Sequence, residues 1–215
     1  MRHPALVDSD FSSSRTGGSS GTARRPTLVL MLGEPGSGKS SLGAALAGAL
    51  RIPFLRRDDV RTGLYFTAGA WTDQPGPAPS ADDAVEAFIV LAETMGALGI
   101  SAVLEYVVRD RRPQDVQRLV QVADCVGIWT WCDSAPARVA ARERADQLMN
   151  RQPVLDALGC RTIDDHVARV ADRMAAVTSE MRTVFEFPVL RVETNDSYRP
   201  TLGEIVDFVT SATIE

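Results

Sequence analysis

Thr27-Leu28-Val29-Leu30-Met31-Leu32 runs directly into Gly33-Glu34-Pro35-Gly36-Ser37-Gly38-Lys39-Ser40, and the small-residue stretch SSLGAALAGAL (40–50) follows. An unbroken apolar run of this length is the pattern of a strand buried on both faces. The eight residues after it match G-x-x-x-x-G-K-[ST]. Each position has a physical reason. Glycines let backbone N–H groups turn inward around phosphate oxygens, and Gly36 adds room for a close backbone approach. The helix that follows aims its positive end at the same anion. Lys39 reaches the β- and γ-phosphates, and the Ser40 hydroxyl suits Mg²⁺. Gly33 to Ser40, with Ser41, are therefore candidate residues for a nucleoside triphosphate, with Mg²⁺ beside it. Lys39 is the single lysine among 23 basic residues, the rest being arginine.

Outward from this loop, short apolar runs alternate with helical stretches. Ile52–Leu55 reads as a second strand and Asp58–Thr67 as a short helix. The segment 69–80 carries three prolines and reads as a loop. Ser80 with Asp83 starts a helix that Gly99 ends. Ser101–Val108 is a third strand, 113–122 a helix opened by Pro113, and Cys125–Trp131 a fourth strand. An arginine-rich helix spans Pro136–Met149, a mobile loop 150–161, and a long helix Asp164–Val184. Pro188–Val192 is a fifth strand, and Thr201-x-x-Glu204 caps the last helix. Trp129 and Trp131 read as packing residues, and His166 as a surface or capping residue. Strands alternating with helices predict an α/β domain over 26–215, with a parallel sheet of about five strands and helices on both faces. Residues 1–25, rich in Ser, Gly, Thr and Arg, read as a flexible tail.

Composition narrows the function classes. The 215 residues carry a formal net charge of −5, which disfavours unspecific nucleic-acid binding. No apolar run approaches the ~18 residues of a membrane span, and no secretory signal is visible. A cytoplasmic protein is expected. Cys125, Cys132 and Cys160 form no CxxC pair, so neither a zinc site nor a disulfide framework is signalled.

After the second strand comes Arg57-Asp58-Asp59-Val60-Arg61. The loop Gly33-x-Pro35-Gly36-Ser37-Gly38-Lys39-Ser40, followed about 19 residues later by this Arg-Asp-Asp-x-Arg, resembles the kinase half of phage-type polynucleotide kinases. It also resembles the wider group of small P-loop kinases that includes chloramphenicol phosphotransferase and zeta toxins. The resemblance covers roughly residues 27–210. It implies a three-layer P-loop NTPase sandwich with a helical lid at about 138–162. It also implies an ATP- and Mg²⁺-dependent transfer of the γ-phosphate to a hydroxyl of a small molecule, such as an antibiotic, a nucleoside or a sugar-like metabolite. ATP against GTP stays open.

Within that resemblance, Asp58 matches the carboxylate that takes the proton of the acceptor hydroxyl, and Arg61 the arginine that contacts phosphate or acceptor. Elementary chemistry agrees, because phosphoryl transfer needs an oriented nucleophile and charge neutralisation. Asp58 and Asp59 would serve equally as helix caps. Glu105, inside an apolar strand, needs a partner to offset its burial. The family places an acidic residue there that helps hold Mg²⁺ or the acceptor, often as aspartate. Ser40, Asp58 and Glu105 are thus the metal candidates. Arg138 and Arg142 lie four apart on one helical face. Arg142 and Arg144 match the lid arginines, with Arg151 a further candidate. Thr194 and Asn195 sit where related kinases place the adenine ring. Tyr65, Phe66 and Trp71 lie near the expected crevice, where aromatics could stack on an acceptor or simply pack.

Two other functions compete. A 5′-hydroxyl polynucleotide kinase is supported by Arg-Asp-Asp-x-Arg and opposed by the acidic charge; a zeta-like toxin acting on a nucleotide sugar is a narrower variant. A non-catalytic protein that binds nucleotide and ligand is opposed by the presence of Asp58 and the lid arginines. A monomer or weak homodimer is expected.

Overall fold

The computed structural model of the chain describes residues 24–69, 72, 79–106, 113–146, 151–180 and 185–212. In chain order the elements are β1 (Thr27–Gly33), α1 (Lys39–Leu50), β2 (Phe54–Arg56), α2 (Arg57–Thr67) and α3 (Ala81–Ala97). Then come β3 (Ala102–Glu105), α4 (Pro113–Val122), β4 (Asp124–Trp131), α5 (Ala135–Ala145) and α6 (Gln152–Ala157). The chain closes with α7 (Ile163–Glu180), β5 (Val189–Glu193) and α8 (Leu202–Ser211). The five strands form one all-parallel sheet in the order β2-β3-β1-β4-β5.

β1 is central because nothing in it needs water. Leu28, Leu30 and Leu32 turn to one face, where Val85, Phe88, Ile89 and Ala92 of α3 and Leu119 of α4 pack. Val29 and Met31 turn to the other, against Leu42 and Leu46 of α1 and Ile205 and Val209 of α8. Each large side chain so buried contributes about 1.5–3 kcal/mol. The chain leaves β1 for the outer β2, returns to β3 beside β1, and then crosses to β4 on β1's other side. That reversal puts the topological switch point, where open α/β sheets bind ligands, at the C-terminal end of β1.

The structure amends several expectations. The second strand is Phe54–Arg56 rather than 52–55. Ile52 donates its N–H to Ala47 O in the turn that ends α1, and Pro53 has no N–H to donate, so pairing starts at Phe54 opposite Val103. The expected loop over 150–161 contains α6, with a proline in its first turn and Val154 and Leu155 buried beneath it. Arg169 closes that helix by donating to Leu158 O at 2.9 Å and Gly159 O at 2.6 Å. His166 is a buried residue rather than a surface one, 3% exposed. Trp129 packs in the core, whereas Trp131 is exposed. Arg25, read as tail, is tied to Val120 O and Gln121 O at 2.9 and 3.1 Å. Residues 1–23 of that tail, 107–108 of the third-strand reading, 147–149 of the arginine helix and 181–184 of the long helix lie outside the described residues. Among the described residues no helix is long and apolar enough to cross a membrane.

Candidate active site

α1 starts differently from its neighbours. α3 and α8 each open on a full capping box, Ser80 with Asp83 and Thr201 with Glu204. α1 opens on Gly38 in the left-handed region (φ 84°), with no side-chain cap and no acidic residue in its first turn. A helix start without a side-chain cap or an acidic first turn is one that suits an external anion. The loop before it is held from below. Ser37 Oγ donates to Glu34 O at 2.7 Å and lies 2.6 Å from Thr130 Oγ1. Gly33 (φ 121°) and Gly36 (φ 81°) are required by space as well as conformation, since an added Cβ would fall 2.2 Å from Thr130 O and 2.3 Å from Ala135 O. Lys39 is 5% exposed, and its Nζ donates to Gly33 O at 3.0 Å and Glu34 O at 2.5 Å. The single ammonium therefore rests on the loop that would hold the phosphates. Ser41 is exposed.

Beside the loop lies a polar row. Ser40 Oγ donates to Glu105 Oε1 at 2.7 Å. Arg56 Nε donates to Glu105 Oε2 at 3.3 Å, and Arg56 Nη1 lies 3.3 Å from Asp59 Oδ1. Backbone register dictates the pairing, because Arg56 is the direct partner of Glu105 between β2 and β3. Side chains at paired positions of neighbouring strands share a face. The Glu105 carboxylate, 14% exposed on its side chain, thus has the partners its burial requires. Two hard oxygen donors stand next to each other at Ser40 and Glu105, a donor set that fits Mg²⁺.

α2 begins immediately after β2. Its N-cap is Arg56, whose side chain makes no capping bond, and Asp58 and Asp59 both lie in its first turn. Asp58 Oδ1 accepts from Arg57 Nη2 at 2.8 Å and lies 3.6 Å from Arg61 Nη2. Asp59 is the more exposed of the two carboxylates, 64% against 31%. Tyr65 is buried and packs with Val154, Leu158 and Ile163 of α6, α7 and the turn between them, while Phe66 is exposed. Trp71 lies outside the described residues.

On the other side of the loop, Thr194 Oγ1 donates to Ser37 O at 2.7 Å. Asn195 Oδ1 accepts from Asp133 N at 3.0 Å, and Arg138 Nη2 donates to Asn195 O at 3.0 Å. Arg138, Thr194 and Asn195 are brought together here, from α5 and the turn after β5. Arg144 Nε donates to Asp164 Oδ1 at 3.2 Å. Arg142 belongs to α5, and its side chain is outside the described set. Arg151 is the N-cap of α6. Helices α5 and α7 are joined by a buried contact, His166 Nε2 to Glu143 Oε2 at 2.9 Å.

Sequence reasoning missed Arg56 and Thr130. Nothing in a linear sequence pairs position 56 with 105, and a lone threonine between two tryptophans carries no signal of lying under a phosphate loop.

No family model and no curated protein matches the chain. Solved structures do. A protein from Chloroflexus aurantiacus J-10-fl, provisionally named a kinase, superimposes with a TM-score of 0.64 at 23% identity, over 88% of this chain and 99% of its own. A sugar kinase from Janibacter sp. HTCC2649 gives 0.50 at 13% identity, over 86% and 93%. At these identities the likeness is one of fold. With the phosphate loop at the end of the central strand of a five-stranded, all-parallel sheet, the chain has the α/β P-loop NTPase fold.

Proposed function

We propose that the protein is an ATP- and Mg²⁺-dependent phosphotransferase that moves the γ-phosphate to a hydroxyl of a small molecule. The observation that carries this reading is the continuous polar row Ser40–Glu105–Arg56–Asp59, which links the phosphate loop to the start of α2 where Asp58 stands. A nucleotide half and an acceptor half are thereby tied at the C-terminal ends of β1, β3 and β2. Within the P-loop kinases, the spacing of Arg57-Asp58-Asp59-x-Arg61 supports the group of chloramphenicol phosphotransferase, zeta toxins and polynucleotide kinases.

The roles follow from chemistry and, for the arginines of α5 and for Thr194 and Asn195, from the resemblance to that group. The N–H groups of Gly36 to Ser40 and the Lys39 ammonium hold the phosphate chain. Ser40 and Glu105 would hold Mg²⁺, which neutralises charge on the phosphoryl oxygens. Asp58 orients the acceptor hydroxyl and takes its proton as the new O–P bond forms and the bond to the leaving diphosphate breaks. Arg142 and Arg144 on the lid offset charge on the transferring group, and Arg138, Thr194 and Asn195 line the side given to the base.

The test is ADP release with Mg²⁺ over a panel of small hydroxyl compounds and one 5′-hydroxyl oligonucleotide, wild type against Asp58→Asn. One acceptor should stimulate turnover, and the variant should lose about 10²–10⁴-fold while still binding ATP. Equal activity in the variant would remove Asp58 as the base. ATP binding with no stimulation by any acceptor would favour a non-catalytic binding protein.

A further inference from the structure

The end of β3 is secured by a side chain as well as by the sheet. Glu105 is the last residue of β3 that pairs with β1 and with β2, while β1 runs on to Gly33 beside β4. Tyr106 comes immediately after it. The Tyr106 hydroxyl donates to Asp115 Oδ2, in the first turn of α4, at 2.6 Å. Its ring stacks on Phe88 of α3, with centroids 5.7 Å apart and planes 13° apart. Both members of the polar pair are fully enclosed, Tyr106 at 1% exposed and Asp115 at 0%.

Packing alone does not call for such a pair. Enclosing a carboxylate is unfavourable unless it is bonded, and a phenylalanine against Phe88 would fill the ring's place without one. What the hydroxyl–carboxylate bond adds is direction. It fixes where the ring sits, and with it how the chain is turned where the ladders end. Successive side chains of a strand point to opposite faces. Leu104 and Tyr106 pack on the face of Leu28, Leu30 and Leu32, whereas Val103 packs on the face of α1. Glu105 continues the Val103 side, where Ser40 Oγ donates to it at 2.7 Å. A Tyr106 pinned on one face therefore holds the Glu105 carboxylate on the other.

We propose that Tyr106 and Asp115 are positioning residues that aim the Glu105 carboxylate at Ser40, so that both oxygens are presented together to Mg²⁺. The metal end of this rests on the reading of Ser40 and Glu105 given above. Without the hydroxyl the ring still stacks on Phe88, but the carboxylate spreads over several positions. Only a fraction of them suit the metal, and the apparent affinity falls by that fraction.

Two readouts on the full chain separate aiming from plain core stability. The proteins compared are wild type, Tyr106→Phe, Glu105→Gln and the double variant. The first readout is urea unfolding without ligand. The two substitutions should be non-additive, the double variant falling short of their combined loss in the folding equilibrium by about twofold or more. The second is calorimetric binding of a non-hydrolysable ATP analogue with and without Mg²⁺. Tyr106→Phe should lose about three- to tenfold of the tightening that Mg²⁺ brings, while binding the metal-free analogue as wild type does. In the Glu105→Gln background it should lose nothing further. Asp115→Asn, which keeps an acceptor without its charge, should lose a smaller part of the tightening. Strictly additive losses in urea would overturn the aiming role, and so would a Tyr106→Phe that keeps the full tightening where Glu105→Gln loses it. If Mg²⁺ tightens nothing in wild type, or Glu105→Gln keeps the full tightening, the metal reading falls, and non-additivity in urea still upholds the pinning of Glu105.

Discussion

Replacing Glu105 by glutamine keeps the size of the side chain and removes its charge between the glycine loop and the start of α2. The hydrogen bond from Ser40 Oγ, 2.7 Å to a carboxylate oxygen, becomes one to a neutral amide oxygen. Bonds to charged groups are worth about 1.5–3 kcal/mol and neutral ones about 0.5–1.5, so about 1 kcal/mol is lost there. The amide nitrogen cannot accept from Arg56, whose contact at 3.3 Å is long and whose side chain is 39% exposed, so that part is about 0–1 kcal/mol. The ligand-free protein should therefore lose about 1–2 kcal/mol in a urea titration. The larger effect should appear with ligand. If Ser40 and Glu105 hold Mg²⁺, the extra stabilisation that Mg²⁺ adds to a bound ATP analogue should shrink by about 1.4 kcal/mol for each tenfold loss in affinity. Nucleotide without metal should stabilise both proteins alike. A variant that gains as much from Mg²⁺ as wild type would refute the metal role of Glu105, whatever its own stability.

Three further outcomes are expected. Gly36→Ala must hold a left-handed backbone, at about 1–2 kcal/mol, and its Cβ meets Ala135 O at 2.3 Å, so it should lower the melting temperature and weaken nucleotide binding. Gly48→Ala, in α1 with nothing within 4 Å of its new Cβ, should raise stability by about 0.4–1 kcal/mol under the same scan. The Glu204 carboxyl is held below the ordinary glutamate value, first by the Thr201 hydroxyl and then by the Thr201 backbone N–H. Its contribution is complete above the unfolded glutamate pKa and disappears as pH falls through the lowered folded value. Glu204→Gln should be less stable than wild type at pH 7, and equal to it once the acid titration has passed that value.

Local pattern made most of the fold legible. The run 27–32 with the loop after it placed the central strand, the phosphate site and the parallel sheet, because a doubly buried strand has no other apolar signature. The capping boxes at Ser80 and Thr201 marked their helices correctly, since a cap involves residues only three apart. Errors came where long-range contacts decide. Val154 makes a helix of an expected loop by having a partner, Tyr65, that is 89 positions away in sequence. His166 is buried because Glu143 on another helix receives it.

The loop proposed to hold a phosphate chain is legible in the linear sequence, because its glycines, lysine and serine lie within eight consecutive residues. The sequence also marked Asp58 and Glu105 as the carboxylates to watch. What surrounds them is set by long-range contacts. Register between β2 and β3 sets Arg56 on Glu105, the fold over β1 sets Ser40 on the same carboxylate, and the start of α2 crowds two guanidiniums onto Asp58. Those contacts join residues up to 65 positions apart. A charge can be read from one position of a chain, but the field it feels is set by neighbours that only folding brings near.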